Sequence, residues 1–298
     1  MAKWERVGRT MARSECARSA LRIAIRAVAH AENAVEKNMP EKGEMAFGGP
    51  GISPRWTSSA KEGVGTAYST GSRIWFTLSH GILNEIYYPA IDRPQVRDMQ
   101  FLITDGETFF HEEKRDLEST ISYVDEHTLG YYLESTDRDH RYRLEKEIIA
   151  DPHQPCVLIH TQLEAASEWA GRIRIYALLA PHLEVGGWGN SARRLSISGK
   201  TILLAWKNRT YMAMGADTGF TEASCGYVGA SDSWQDLKNN LKLDWQFERA
   251  EDGNIAVAAS RSHESGTIHH RIGVRRQRPR CDRNTVPVAE CAFCASPA

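Results

Sequence analysis

Long apolar runs are missing from this 298-residue sequence. None approaches the ~18 residues of a membrane-spanning helix. The best N-terminal run, Ala20–Ala31, is interrupted by Arg22 and Arg26, which makes it a poor secretory core. We expect no membrane partner and a cytoplasmic location. Cysteine is scarce as well. Cys16, Cys156 and Cys225 stand singly, and Cys281, Cys291 and Cys294 crowd the last stretch. A disulfide framework in a chain of this length is denser and more regular, so free thiols are expected. An excess of charge of either sign is lacking too: 37 Lys and Arg face 38 Asp and Glu, and the net charge is -1. That balance gives no reason to expect nucleic acid or an anionic membrane as partner. No residue pattern points to a cofactor, and none is expected.

What is present falls into three segments. Residues 1–44 are rich in Ala, Arg and Glu, and Leu21, Ile25, Val28 and Ala29 form one stripe of an amphipathic helix over Ser19–Asn38. Acidic Glu5 and Glu15 argue against a transit peptide. Met45 makes a natural start, so 1–44 is read as an extension outside the main domain, helical or disordered. Residues 45–260 are dominated by Gly, aromatic and β-branched residues. Ile173, Ile175 and Ala177 alternate with Arg172, Arg174 and Tyr176, the period of a half-buried strand. Arg141, Arg143 and Glu145 alternate with Tyr142 and Leu144 in the same way. Leu195–Ser198 and Thr201–Trp206 flank Gly199-Lys200, a hairpin signal. Further strands are predicted at Ile74–Leu78, Leu83–Tyr88, Met99–Thr104, Thr120–Val124, Leu129–Glu134, Val157–Leu163 and Thr210–Gly215, with one short helix at Ser233–Leu241. Many short strands without alternating long helices predict an all-β, antiparallel sandwich or barrel. Residues 261–298 carry seven arginines, no lysine and no periodicity. They are read as a disordered tail, of the composition a frameshift in a GC-rich gene produces.

Several ordered blocks carry a resemblance. They are Gly49-Pro-Gly-Ile-Ser-Pro-Arg-Trp-Thr-Ser-Ser-Ala-Lys-Glu-Gly-Val-Gly-Thr66, Ile74-Trp-Phe-Thr-Leu-Ser-His-Gly-Ile-Leu-Asn-Glu-Ile-Tyr-Tyr-Pro89, Arg97-Asp-Met-Gln-Phe-Leu-Ile-Thr-Asp-Gly106, Leu178-Leu-Ala-Pro-His-Leu183 and Ser224-Cys-Gly-Tyr-Val-Gly-Ala-Ser-Asp-Ser-Trp-Gln-Asp-Leu237. Together they resemble the N-terminal domain of bacterial glucoamylases and glucodextranases, of glycoside hydrolase family 15 type. The resemblance implies a large antiparallel two-sheet super-sandwich, similar to the galactose mutarotase fold. In the family this precedes an α/α barrel that hydrolyses α-glucosidic bonds, which makes the barrel an intramolecular partner and an α-glucan a weak one. Around Asp252–Val257 the family pattern breaks into the arginine-rich tail, so the last strands of the sandwich and the barrel are expected to be missing. The implied role is an accessory domain, inactive alone. The alternative is a free-standing carbohydrate-binding or mutarotase-like protein.

Inverting glycoside hydrolysis needs two carboxylates, ~6.5–9.5 Å apart. No position here matches the family's barrel glutamates, so no catalytic residue is assigned. Glu145 and Glu147 share a strand face and the adjacent Glu112 and Glu113 do not; a solvated sheet surface is the plainer use of all four. For ring-opening chemistry, which commonly uses Glu and His, His80, His160 and His182 are the histidines to weigh against ordinary packed ones. Trp188, in Val185-Gly-Gly-Trp-Gly-Asn190, either presents a flat face to a sugar or anchors its loop. Trp234 follows Ser231 and Asp232, either of which can cap the short helix. Trp188 and Trp234 are the candidate carbohydrate contacts. Cys291-Ala-Phe-Cys294, with Cys281, His263, His269 and His270 upstream, has only half the spacing of a zinc site, so no metal is expected.

Overall fold

The computed structural model describes residues 44–217, 219–260 and 267–276, and almost all regular structure among them is antiparallel strand. One sheet runs in the order β1 (Gly63–Thr66), β2 (Trp75–Ser79), β3 (Ile82–Tyr87), β4 (Val96–Thr104), β10 (Arg174–Pro181), β16 (Ile255–Ser260) and β14 (Glu222–Tyr227), with β5 (Phe110–Glu112) paired to β4. The second sheet has nine strands. Its order is β15 (Arg249–Gly253), β11 (Asn190–Ile197), β12 (Lys200–Lys207), β13 (Thr210–Ala216), β17 (Thr267–Arg276), β9 (Cys156–Ala165), β8 (Tyr142–Ala150), β7 (Tyr131–Asp137) and β6 (Leu117–Tyr123). Two short helices punctuate the strands, α1 (Glu113–Asp116) and α2 (Ser233–Asn240). This is the expected all-β two-sheet sandwich.

The core lies between the sheets. Phe76, Leu78, Phe101, Ile103 and Leu179 from one sheet meet Leu133, Leu144, Ile159, Met212 and Met214 from the other, all buried. Alternation decides which residues these are. In β8 the even-numbered Tyr142, Leu144, Lys146 and Ile148 are buried, and Glu145 and Glu147 share the outer face, as the period of two requires.

Strand β10 departs from the predicted half-buried pattern. Tyr176 was placed by alternation on an outer, solvated face, yet it is fully buried, with Leu102, Leu178, Ala256 and Ala258 and with Leu237 from α2. Helix α2 lies on this outer face and covers it, which is why the strand is apolar on both sides. The hairpin between β11 and β12 also shifts. Ile197 pairs with Lys200, so the two-residue loop is Ser198-Gly199, both with left-handed φ (52° and 76°), one residue earlier than predicted.

The largest correction concerns the end of the domain. The expectation of a disordered tail from Arg261, and of missing final strands, does not hold for Thr267–Arg276. These residues form β17, which pairs along its length with β13 on one side and β9 on the other. Ile272 and Val274 are buried in the core. The arginines read as a sign of disorder punctuate a central strand, whose alternation is masked by His and Gly between short apolar residues. At the other end, Met45 bridges Arg249 of β15. The predicted helix over Ser19–Asn38, and Cys281, Cys291 and Cys294, lie outside the described residues. Cys156 and Cys225 are both buried.

Candidate functional site

Beside α2, on the outer face of the eight-stranded sheet, the surface opens into a cleft of about 410 Å³. That is within the ~300–1,000 Å³ usual for small-molecule sites. Its floor comes from β4, β5, β10 and β16, its walls from the segment around Trp56, from α1, and from the turn that leads into α2.

That turn is built by close backbone approach. The N–H groups of Ala230, Ser231 and Asp232 all reach the Tyr227 carbonyl at 3.0–3.1 Å. Asp232 is the N-cap: its carboxylate accepts from the Gln235 N–H at 3.1 Å and from the Gly229 N–H. Burial pushes the Asp232 carboxyl up, against the amides of Gly229, Gln235 and Trp234. Ser231, the other predicted cap, instead donates to the Phe47 carbonyl at 2.6 Å. The turn presents Trp234 half-buried at the cleft wall. The Trp234 indole N–H donates to Glu112 Oε2 at 3.2 Å, and its ring meets Phe110 edge-on with centroids 6.0 Å apart. The Lys238 ammonium sits 4.7 Å from its ring centroid.

Glu112 is therefore no solvated surface carboxylate. It also accepts from Gln100 Nε2 at 2.9 Å and pairs with Arg115 at 3.3 Å. Glu113 points the other way, between the sheets, where it is fully buried. Both departures from the expected exposed state have one cause: β5 and α1 fold back over β4, and each carboxylate finds a donor set.

Trp56, 40% exposed, lines the same cleft. Its ring meets His182 edge-on, centroids 4.8 Å apart. His182 is buried and neither ring nitrogen makes a hydrogen bond of normal geometry. Burial, with the Arg97 and Lys207 charges, pushes its pKa down to about 4 against a smaller opposing effect of Asn254. Of the other histidines, His80 is exposed in the β2–β3 turn and His160 lies on β9 of the second sheet. The three come from separate elements.

Trp188 does not line the cleft. It is 45% exposed on the loop before β11. Asn190 holds that loop, donating from Nδ2 to the carbonyls of Gly186 at 3.0 Å and Gly187 at 2.9 Å. The Trp188 loop nonetheless adjoins the Trp56 segment, because Gly187 packs on Pro54 and His182 so closely that an added Cβ would lie 2.4 Å and 2.6 Å from them. Trp56 was missed because nothing in its spacing sets it apart. Its only signal was its place in a long loop that lacks strand alternation.

Among the described residues, no group of three or more side chains is placed to hold a metal ion, and no helix is long and apolar enough to cross a membrane.

Residues 46–275 match the family described as glucodextranase, domain N. A glucoamylase of Clostridium sp. (strain G0005) is 33% identical over 214 residues, which is 72% of this chain and 30% of that protein. The crystal structure of a bacterial glucoamylase complexed with acarbose superposes with a TM-score of 0.76 at 29% identity, over 78% of this chain and 35% of that one. The chain thus spans about a third of the length of these relatives.

Proposed function

From the premise that this chain belongs to the glucodextranase domain N family, we propose that it serves as the accessory domain of an α-glucan-hydrolysing enzyme. The observation that carries this reading is the match of one continuous sandwich, residues 46–275, to a third of a glucoamylase. The partner in this reading is an α/α-barrel catalytic domain, and the location is the cytoplasm. Weak carbohydrate contact at Trp188 and Trp234 belongs to the same reading. The domain's task is to dock on and steady the barrel, and the two hydrolytic carboxylates are the barrel's.

Co-expression of this chain with a separately encoded family barrel tests the proposal. We expect a one-to-one complex on size exclusion and a barrel that melts at a higher temperature than without it. A barrel that neither binds the chain nor gains stability from it would overturn the reading.

A further inference from the structure

The cleft beside α2 holds chemistry that scaffolding does not require. Its floor carries polar side chains that are almost fully buried: Asp98 at 3%, Gln100 at 4% and Glu112 at 7% exposure. Burying a charge is costly unless it is paired, and here each is. Arg97 donates to Asp98 from Nε and Nη2 at 3.2 and 3.1 Å, and Glu112 has the three partners described above. The result is a set of donors and acceptors, preset without a ligand, in a cleft that Trp56 and Trp234 also line.

We propose that this cleft binds a neutral saccharide chain, with Trp56 and Trp234 flanking a sugar ring and the Asp98, Gln100 and Glu112 floor meeting its hydroxyls. The charge pattern selects the class. Four cationic side chains line the cleft against three carboxylates, and Arg97 and Arg115 are already paired with Asp98 and Glu112, so little net charge is left to hold a phosphate or polyanion. An apolar ligand would take water from the exposed Arg115 head at the rim without replacing it. A hydroxyl both donates and accepts, so a polyol alone suits a floor of intermixed carboxylate, amide and guanidinium groups. A sugar also offers apolar C–H faces to indole rings. That the sugar is a glucan rests on the accessory-domain reading. Trp234 has its Lys238 side occupied, so stacking falls mainly to the more exposed Trp56.

Titration of the 298-residue chain with maltoheptaose, isomaltoheptaose and cellopentaose, followed by calorimetry and tryptophan fluorescence, tests this. We expect saturable binding of an α-linked oligosaccharide, weakened at least tenfold by Trp56→Ala. Because Trp56 packs on His182, Gln235→Ala serves as a second cleft variant that leaves the backbone cap of α2 intact, and it should weaken binding as well. Tyr68→Ala, at an exposed aromatic away from the cleft, should change nothing. No saturable sugar binding, binding insensitive to both cleft variants, or preference for inorganic polyphosphate over every sugar would overturn the inference. Barrel association without sugar binding would sink this inference and leave the accessory role standing. Binding of cellopentaose alone would keep the cleft a sugar site but remove the α-glucan assignment.

Discussion

Lys146 donates from its ammonium to the Glu113 carboxylate in the space between the two sheets, where the two side chains are 2% and 0% exposed. Lys146 also donates to the Gly81 carbonyl. Glu113 accepts from the Phe101 N–H at 3.0 Å and from Ser135 Oγ at 3.3 Å. Burial pushes the Lys146 pKa down, and the Glu113 charge pulls it back up. The pair ties α1 to β8 and β4 and fixes how one sheet sits on the other.

Removing one member of this pair strands the other. Lys146→Met should destabilise the domain by about 3–5 kcal/mol, because it leaves a buried carboxylate uncompensated. Glu113→Gln combined with Lys146→Met should recover most of that loss, since the amide still accepts from Phe101. Urea unfolding followed by circular dichroism measures both. A single-mutant cost near zero would mean that water reaches the pair.

The position of β17 gives the second prediction. A chain ending at Ser260 loses a strand that separates β13 from β9, and both neighbours are left with rows of unpaired N–H and C=O groups. The buried Ile272 and Val274 go with it. Such a chain should lose cooperative unfolding and aggregate, whereas one ending at Arg276 should keep a single sharp transition. Equal melts for the two would show that β17 is dispensable.

The strands were legible where burial alternates, as in β8 and β9, and also where short apolar runs lie between turn signals, as in β4 and β13. The predicted segments at Ile74–Leu78, Met99–Thr104, Val157–Leu163 and Thr210–Gly215 each fall on an observed strand, and Ser233–Leu241 exceeds α2 by one residue. Alternation misassigned the faces where both are covered, as at Tyr176, and gave no signal at β16, which reads Ile-Ala-Val-Ala-Ala-Ser with every position buried. It failed again at β17, where charge hid the period. Of the cleft, Trp234 and its cap could be read locally. Trp56, Asp98 and Glu112 could not, because they come from elements far apart in the chain that only the fold brings together.

Gly226 gives a third test. It lies in β14, where an added Cβ would sit 2.2 Å from the Ser231 carbonyl oxygen and 2.7 Å from the Asp232 Cα. Backbone atoms cannot swing aside as a side-chain tip can. Gly226→Ala should therefore push out the turn that caps α2, at a cost of about 1–3 kcal/mol. If the cleft is a sugar site, it should also blunt the binding. Thermal melting reads the first effect and oligosaccharide titration the second. An unchanged melting temperature would mean that the turn moves freely.

His182 contributes a pH dependence above pH 4, and His111, whose pKa burial also pushes down, acts in the same direction. Burial, first, and the Arg97 charge hold the His182 pKa near 4 in the folded protein, while an unfolded chain returns it to about 6.5. Between those values the unfolded state binds the proton and the folded state does not, so stability falls as pH drops. The His182 contribution is fully present above about pH 6.5. The loss accumulates down to about pH 4 and amounts to roughly 3 kcal/mol, at 1.36 kcal/mol for each unit. Asp105 acts in a different window. Burial alone would raise its pKa, but the Thr108 hydroxyl at 2.6 Å and the N–H groups of Glu107, Thr108 and Phe109 outweigh that and hold the carboxyl far below its usual range. Its contribution is intact above about pH 4 and is lost only in stronger acid. The two windows are separable by mutation. His182→Leu should flatten the stability profile between pH 6.5 and 4, whatever it does to stability at pH 7, and leave the steep fall below pH 4 in place. Urea midpoints measured across pH 3–8 for both proteins decide the matter. A variant profile as steep as the original between pH 6.5 and 4 would show that another group carries the titration.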